Sequence, residues 1–185
     1  MRLVIPSMVH KEALLEAAAE MHACGEWEIT PEALEARFDT MLQELADAGD
    51  PATAPAGVLP YMDYWLLEDT TWIGLLTLRP IITAELMRSG GHIGYVIRPS
   101  RRRQGYATIL LRLGLEQAKT LGLTRVLLTC ADTNLGSRKV IEANGGQLED
   151  VVQIDAGTPL VRRYWISLTA ADTKSETNFA QDHIQ

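Results

Sequence analysis

The sequence predicts an α/β domain with a mixed, mostly antiparallel central sheet of about six or seven strands and helices on both faces. Three observations carry this. Residues 92–130 run strand, helix, strand, which implies two neighbouring parallel strands joined by a helical crossover. Two pairs of β-rich runs, Tyr61–Glu68 with Trp72–Arg79 and Gln147–Ile154 with Leu160–Leu168, are split by turn residues and read as antiparallel hairpins. The segment before them carries apolar side chains at helical spacing.

Taken in order, Leu3–Pro6 is a short first strand, and Ser7–Ala23 is a helix with Leu14, Ala17, Ala18 and Met21 on one face. Thr30 and Pro31 open the next helix as N-cap and first residue, and Glu32 and Glu35 suit its dipole. Its buried stripe is Leu34, Phe38, Met41, Leu42 and Leu45. Asp47–Pro60, rich in Pro, Ala and Gly, is a loop long enough to be mobile or to lie over a site. The first hairpin turns at Asp69-Thr70-Thr71, and Pro80–Gly91 is a connection with a helical turn at Ala84–Arg88. The strand His92–Arg98 stops at Pro99. A helix then places Ala107, Leu110, Leu111, Gly114, Leu115 and Ala118 on one face. Arg125–Cys130 is a buried strand, and the short helix Ser137–Ala143 ends at Asn144-Gly145-Gly146, a left-handed cap signal. The last hairpin turns around Asp155–Pro159. Residues 1–168 are expected to form a single domain, and 169–185 a polar tail that is frayed or disordered.

At 185 residues and 46% hydrophobic content the chain suits one domain with a full core. No apolar run approaches the roughly 18–20 residues that span a bilayer, and Met1–Pro6 is too short for a signal peptide. A cytoplasmic protein without a membrane partner is expected. Cys24 and Cys130 make no disulfide framework, and the histidines (His10, His22, His92, His183) show no metal-ligand spacing with them, so no metal is expected. Charge is unevenly placed. Residues 1–69 carry 3 basic and 14 acidic side chains, and residues 70–140 carry 11 basic and 3 acidic. The chain is acidic as a whole, at −7, and its arginines gather at one turn, which argues against nucleic acid as partner.

That turn is Arg101-Arg102-Arg103-Gln104-Gly105-Tyr106-Ala107, between a strand and a helix. Gly105 lets backbone approach a ligand closely, and the free N–H groups of a helix start favour an anion. The segment therefore reads as a phosphate or pyrophosphate loop. It is neither a P-loop nor a dinucleotide fingerprint, since both glycine patterns are missing.

An arginine at 102, glycine at 105 and alanine at 107, placed between a strand and a helix, resemble the acyl-CoA signature of the GNAT superfamily of N-acetyltransferases. Asn134 after a strand, the short helix behind it and a final hairpin with Arg163-Tyr164-Trp165-Ile166 are similar to the same family's order. The run from Gly90-Gly91-His92 to Gly145-Gly146 resembles a poorly characterised bacterial branch of predicted acetyltransferases. The resemblance places the acyl-CoA-binding core at about residues 90–150 and implies a GNAT-like sheet, with acetyl-CoA as co-substrate. It also implies that the sheet splays open along the His92 strand to admit the pantetheine arm. Backbone groups of Val96, Ile97 and Arg98 would bind that arm. Arg102, Arg103, Gln104, Gly105, Tyr106 and Ala107 would hold the pyrophosphate, and Asn134 would contact the pantetheine or cap the helix behind it.

Amide formation needs a proton acceptor for the amine and a donor for the leaving thiolate. By position, the resemblance makes His92 the base candidate, at a place where relatives carry glutamate, with Glu85 second. The alternative for His92 is a strand-edge histidine bonded to backbone. The family's acid, a tyrosine seven residues after the asparagine, is replaced by Ile141. Ser137 is the substitute candidate, or else a helix cap. Tyr106 and Tyr164 fit core positions as well as any catalytic one. An acidic N-terminal part (Glu26, Glu28, Glu32, Glu35, Asp47, Asp50) would attract a cationic amine, if its carboxylates are more than a solvated helix face. The expected function is acetyl transfer from acetyl-CoA to a primary amine, on a small molecule or peptide, by direct attack in a ternary complex. The alternative is a catalytically silent acyl-CoA-binding sensor or interaction module. The exposed last hairpin leaves room for a homodimer.

Overall fold

The computed structural model describes residues 1–50, 52–54, 57 and 59–169. Apart from Thr169, the expectation for the tail lies outside the described residues. The elements are β1 (Arg2–Val4), α1 (Lys11–Ala23), α2 (Pro31–Ala36), α3 (Phe38–Gly49), β2 (Met62–Glu68), β3 (Thr71–Leu78), α4 (Ala84–Arg88), β4 (Ile93–Ile97), α5 (Tyr106–Thr120), β5 (Arg125–Ala131), α6 (Leu135–Ala143), β6 (Gln147–Gln153) and β7 (Leu160–Ser167). Among the described residues no helix is long and apolar enough to cross a membrane.

The strands form two antiparallel sheets, one ordered β1-β2-β3-β4 and the other β5-β7-β6. The parallel β4–β5 pair expected from the crossover is not a ladder. The chain just before β4 meets β5 at a single bridge of antiparallel type between Gly91 and Leu128, and β4 and β5 form no ladder beyond it. Local bonding accounts for this. The His92 N–H donates to the Leu127 carbonyl at 2.8 Å, but the Leu127 N–H donates at 2.9 Å to the His92 ring Nδ1 instead of a backbone oxygen. The Gly90 N–H donates to Thr129 Oγ1 at 2.9 Å. A side chain thus takes a backbone acceptor's place, and the ladder ends where it begins.

Each face of the four-stranded sheet has its own core. Leu76, Leu78, Ile93 and Ile97 pack under α5 and α6 with Leu110, Leu111, Ile141 and residues of the second sheet. The approach is close: a Cβ on Gly114 of α5 would stand 2.3 Å from Leu76 Cδ1. On the other face Trp65, Leu67 and Trp72 pack with Leu14, Ala17, Leu34 and Phe38 of α1, α2 and α3. The helix expected from Pro31 onward is two helices, broken at Arg37 (φ −110, ψ 11). Leu34 and Phe38 then both reach the tryptophans. Met41, Leu42 and Leu45, expected in the same buried stripe, are only half-buried, and Met41 and Leu45 line a cavity.

Candidate active site

The loop before α5 presents free backbone donors. Gly105 is the N-cap at φ 86, and Arg103 holds φ 61, a left-handed geometry uncommon for a side chain and frequent at functional positions. The backbone N–H groups of residues 103–107 donate to no protein acceptor among the described residues. A Cβ added to Gly105 would meet nothing within 4 Å, so the space beside this residue is open.

Acidic residues of the N-terminal third clamp this loop. Arg98 is buried, with Nε donating to Glu20 at 2.8 Å and Nη2 to Glu16 at 3.1 Å. The Ser100 N–H and hydroxyl also donate to Glu20. Burial pushes the Glu20 carboxyl up, but the bonds from Ser100 and Arg98 outweigh it and hold it below its usual range. Arg102 forks onto Glu26 and donates through Nε to the Ile97 carbonyl at 2.8 Å. That bond from Arg102 lowers the Glu26 pKa. Tyr106 donates its hydroxyl to Glu68, which lies 3.7 Å from Arg101. Much of the charge asymmetry is therefore spent inside the fold. The Arg98, Arg102 and Tyr106 side chains are occupied as clamps, whereas Arg103 has no ion-pair partner among the described residues.

The opening between β4 and β5 lies next to this loop. The Arg98 N–H donates to the Ile73 carbonyl at 3.0 Å. By antiparallel alternation Val96 also faces β3, so the outer edge belongs to the backbone of Tyr95 and Ile97. The Tyr95 side chain was not singled out from the sequence. Its hydroxyl is buried and without a hydrogen-bond partner. Burial raises its pKa to about 12, with Ser137 pulling it down and Cys130 pushing it up. The two hydroxyls are neighbours without bonding geometry. Asn134 is the N-cap of α6, its Oδ1 accepting the Ser137 N–H at 3.0 Å. That leaves the Ser137 hydroxyl free of capping. Ile141 is in the core, at 1% exposure. An orphaned buried hydroxyl beside a free serine suits the thioester end of an acyl-CoA, as the loop suits its pyrophosphate.

The opposite face of the sheet carries a cavity of about 560 Å³ beneath α1–α3. Trp27, Trp65, Trp72 and Tyr61 wall it, and Glu26, Glu28, Glu44 and Asp63 bring carboxylates. Glu26 is taken by Arg102, and Glu44 pairs with Arg37 at 2.7 Å. A second cavity of about 470 Å³ shares Tyr61 and Asp63 and continues past Thr77 and Arg79 to Thr83 and Leu86. Of the acidic residues expected to attract an amine, Glu26 and Glu28 line the first cavity. Asp63, inside a strand, was missed. A carboxylate within an apolar strand pattern was the available signal.

His92 sits at the seam. Its ring centroid is 6.1 Å from that of Trp165, over which Arg125 stacks at 4.1 Å. Because Nδ1 accepts from Leu127, the neutral ring carries its proton on Nε2, and its lone pair is not free until that bond breaks. Burial, then Arg125, lower its pKa. Glu85 is exposed on α4 and lines neither cavity. The lowered His92 pKa makes the stability of the fold depend on pH. The unfolded chain binds the proton more readily, so stability is present above about pH 6.5 and falls as pH drops through and below that value. His10, also lowered by burial and by Arg2, adds in the same direction. His92→Asn, whose Oδ1 can still accept from Leu127, should flatten this decline in denaturant unfolding between about pH 7 and pH 5. A decline as steep as the wild type's would assign it to other groups.

A sheet opened beside a helix start with free N–H groups, backed by an acidic aromatic cavity, defines an acyl-CoA-dependent transferase. The chain belongs to the GNAT acetyltransferase family: the model of the acetyltransferase (GNAT) domain matches residues 2–147. Donor and fold follow from this membership, with acetyl-CoA as co-substrate. Among solved structures it is similar to Mycobacterium smegmatis RimJ in complex with CoA-disulfide, with TM-score 0.65 and 22% identity over 89% of this chain and 80% of that one. RimL, a ribosomal L7/L12 alpha-N-protein acetyltransferase in complex with coenzyme A, gives 0.64 and 18% over 89% and 92%. Spermidine N-acetyltransferase from Vibrio cholerae, in complex with CoA and spermine, gives 0.59 and 17% over 90% and 95%. No curated protein matches the sequence significantly.

Proposed function

We propose that the protein acetylates a primary amine with a cationic or amphipathic body, by direct attack in a ternary complex. The observation that carries this is the cavity of about 560 Å³ on the face of the sheet away from α5 and α6, where tryptophans alternate with carboxylates. Aromatic faces and carboxylates together favour an organic cation over a neutral or acidic group. Acetyl-CoA supplies an activated acetyl thioester. The chain holds its pyrophosphate at residues 103–107 with the Arg103 side chain, and the outer edge of β4 at Tyr95 and Ile97 lines the arm. Asn134 fixes the start of α6 and so places Ser137. Ser137 donates to the departing sulfur, and the protonated Tyr95 phenol stands near it as a second donor. The phenol is the feature that favours catalysis over silent acyl-CoA binding, because it offers an acid where Ile141 cannot.

The test is thiol release from acetyl-CoA across a panel of diamines, aminoglycosides, lysine peptides and free peptide N-termini. Amine-dependent release favouring cationic acceptors is expected. Binding of acetyl-CoA with no release for any amine would leave the sensor reading. Ser137→Ala should lower turnover by about 10-fold, less than the 10²–10⁴ typical of a positioned acid, because a thiolate already leaves readily. Full turnover at saturation would confine Ser137 to a structural role.

A further inference from the structure

The proposed transfer needs a destination for a proton. The acceptor arrives as an ammonium, and its nitrogen must shed a proton before or during attack. The His92 lone pair is held by Leu127, and Glu85 stands outside the cavities. On the cavity face of the four-stranded sheet, register puts Asp63, Thr77 and Gly94 side by side across β2, β3 and β4. Thr77 Oγ1 donates to Asp63 Oδ1 at 2.6 Å. Gly94 offers no side chain, and a Cβ there would first meet the Arg79 guanidinium at 3.8 Å. An amine therefore has room above Gly94, on the strand whose outer edge borders the opening. Asp63 also lies where the two cavities meet.

We propose that Asp63 and Thr77 together are the proton acceptor of the reaction, Thr77 Oγ1 taking a proton from the acceptor nitrogen as its own hydroxyl proton passes to Asp63. An ammonium N–H bond breaks, the Thr77 O–H is restored, and the carboxylate ends as a carboxylic acid. The electron pair left on nitrogen forms the new bond to the acyl carbon, the carbon–sulfur bond breaks as the tetrahedral intermediate collapses, and the nitrogen's second proton replaces the one delivered to the departing thiolate. This inference rests on the N-acetyltransfer reading above. The groups around the pair are consistent with it. Burial raises the Asp63 pKa, while Thr77 and Arg79 pull it back. Tyr61 stays protonated, its own pKa raised by burial and by Asp63 and Glu44 against the pull of Arg79. Glu44 is engaged with Arg37. A half-buried carboxylate with a raised pKa is a better base near neutrality than an exposed one.

Asp63→Asn tests this, since the amide oxygen can still accept from Thr77 and the fold is retained. Turnover of the full chain is measured from about pH 5 to pH 9 with an amine on which the wild type releases thiol, and acetyl-CoA affinity is measured separately by calorimetry. The expected result is a kcat lower by about 100-fold or more, loss of the acidic limb and unchanged acetyl-CoA affinity. Asp63→Glu should recover part of the rate. Thr77→Val should share the loss, and Thr77→Ser should escape it. An Asp63→Asn enzyme with wild-type kcat and limb, or with a raised acceptor KM alone, overturns the proposal. A wild type that releases thiol with no amine overturns the acetyltransfer reading itself, and this inference with it.

Discussion

Gly105→Val should abolish acetyl-CoA binding in a domain that stays folded. Gly105 sits at φ 86 at the start of α5, and a Cβ there would meet no protein atom within 4 Å. The substitution creates no internal clash. It costs about 1–2 kcal/mol for the left-handed conformation, somewhat more for a β-branched residue, against a typical total stability of about 5–15 kcal/mol. The larger effect falls on the ligand. The N–H groups of residues 103–107 have no protein acceptor among the described residues, close approach of backbone to phosphate is what a glycine there allows, and a branched side chain on that backbone hinders it. A loss of affinity of about 100-fold or more, roughly 2.7 kcal/mol, is expected by calorimetric titration, with a small drop in melting temperature. Wild-type affinity in the folded variant would move the pyrophosphate away from this loop. Arg103→Ala should weaken binding less, because one salt-screened charge is lost while the backbone cradle remains.

The loop was legible because its signal is local. A glycine, a basic cluster and a helix start lie next to one another in sequence, and the stripe from Ala107 to Ala118 fixes which way the helix faces. The hairpins were legible for the same reason, as alternating runs around short turns. What stayed hidden depends on partners far apart in the chain. Counting charges showed an acidic N-terminal third and a basic middle, but not that Glu20 would clamp Arg98 and Ser100 or that Glu26 would take Arg102. The count suggested two ligand fields, where a good part of it is one set of internal clamps. The break at Arg37 was hidden because an unbroken stripe from Leu34 to Leu45 fits one helix equally well.

The candidate site divides in the same way. Asn134 had two readings, and the structure shows it capping α6, which frees Ser137 from the cap that was its own alternative. Tyr95 and Asp63 were not singled out. Alternation along a strand says which residues share a face, but not what that face looks onto. Only the pairing of β2, β3 and β4 sets Asp63 beside Thr77 and leaves Gly94 open, and only the three-dimensional packing buries the Tyr95 hydroxyl without a partner.

The opening between β4 and β5 is governed from the seam, where the largest loss of stability is expected. Gly91→Ala should destabilise the domain by about 2–5 kcal/mol, since left-handed strain of about 1–2 kcal/mol adds to an overpacking cost of about 1–3 kcal/mol. Gly91 has φ 72, and a Cβ on it would stand 2.4 Å from the Leu127 carbonyl oxygen and 3.3 Å from Leu128 Cα. Both are backbone atoms of β5, which is held along its other side by β7, so neither can swing aside as a side-chain tip would. Relief requires β4 and β5 to part, which breaks the paired bonds between His92 and Leu127 and the bond from Gly90 to Thr129. Gly145→Ala is the matched control, with φ 86 and nothing within 4 Å of its added Cβ, and should cost only the conformational part of about 1–2 kcal/mol. Denaturant unfolding of both variants separates the two contributions. Because the seam sets where the opening begins, Gly91→Ala should also weaken acetyl-CoA binding under conditions where it is still folded, whereas Gly145→Ala should not. Equal midpoints for the two variants would mean that the strands are not held together at Gly91, and that the opening between β4 and β5 is fixed elsewhere, by packing of α5 and α6.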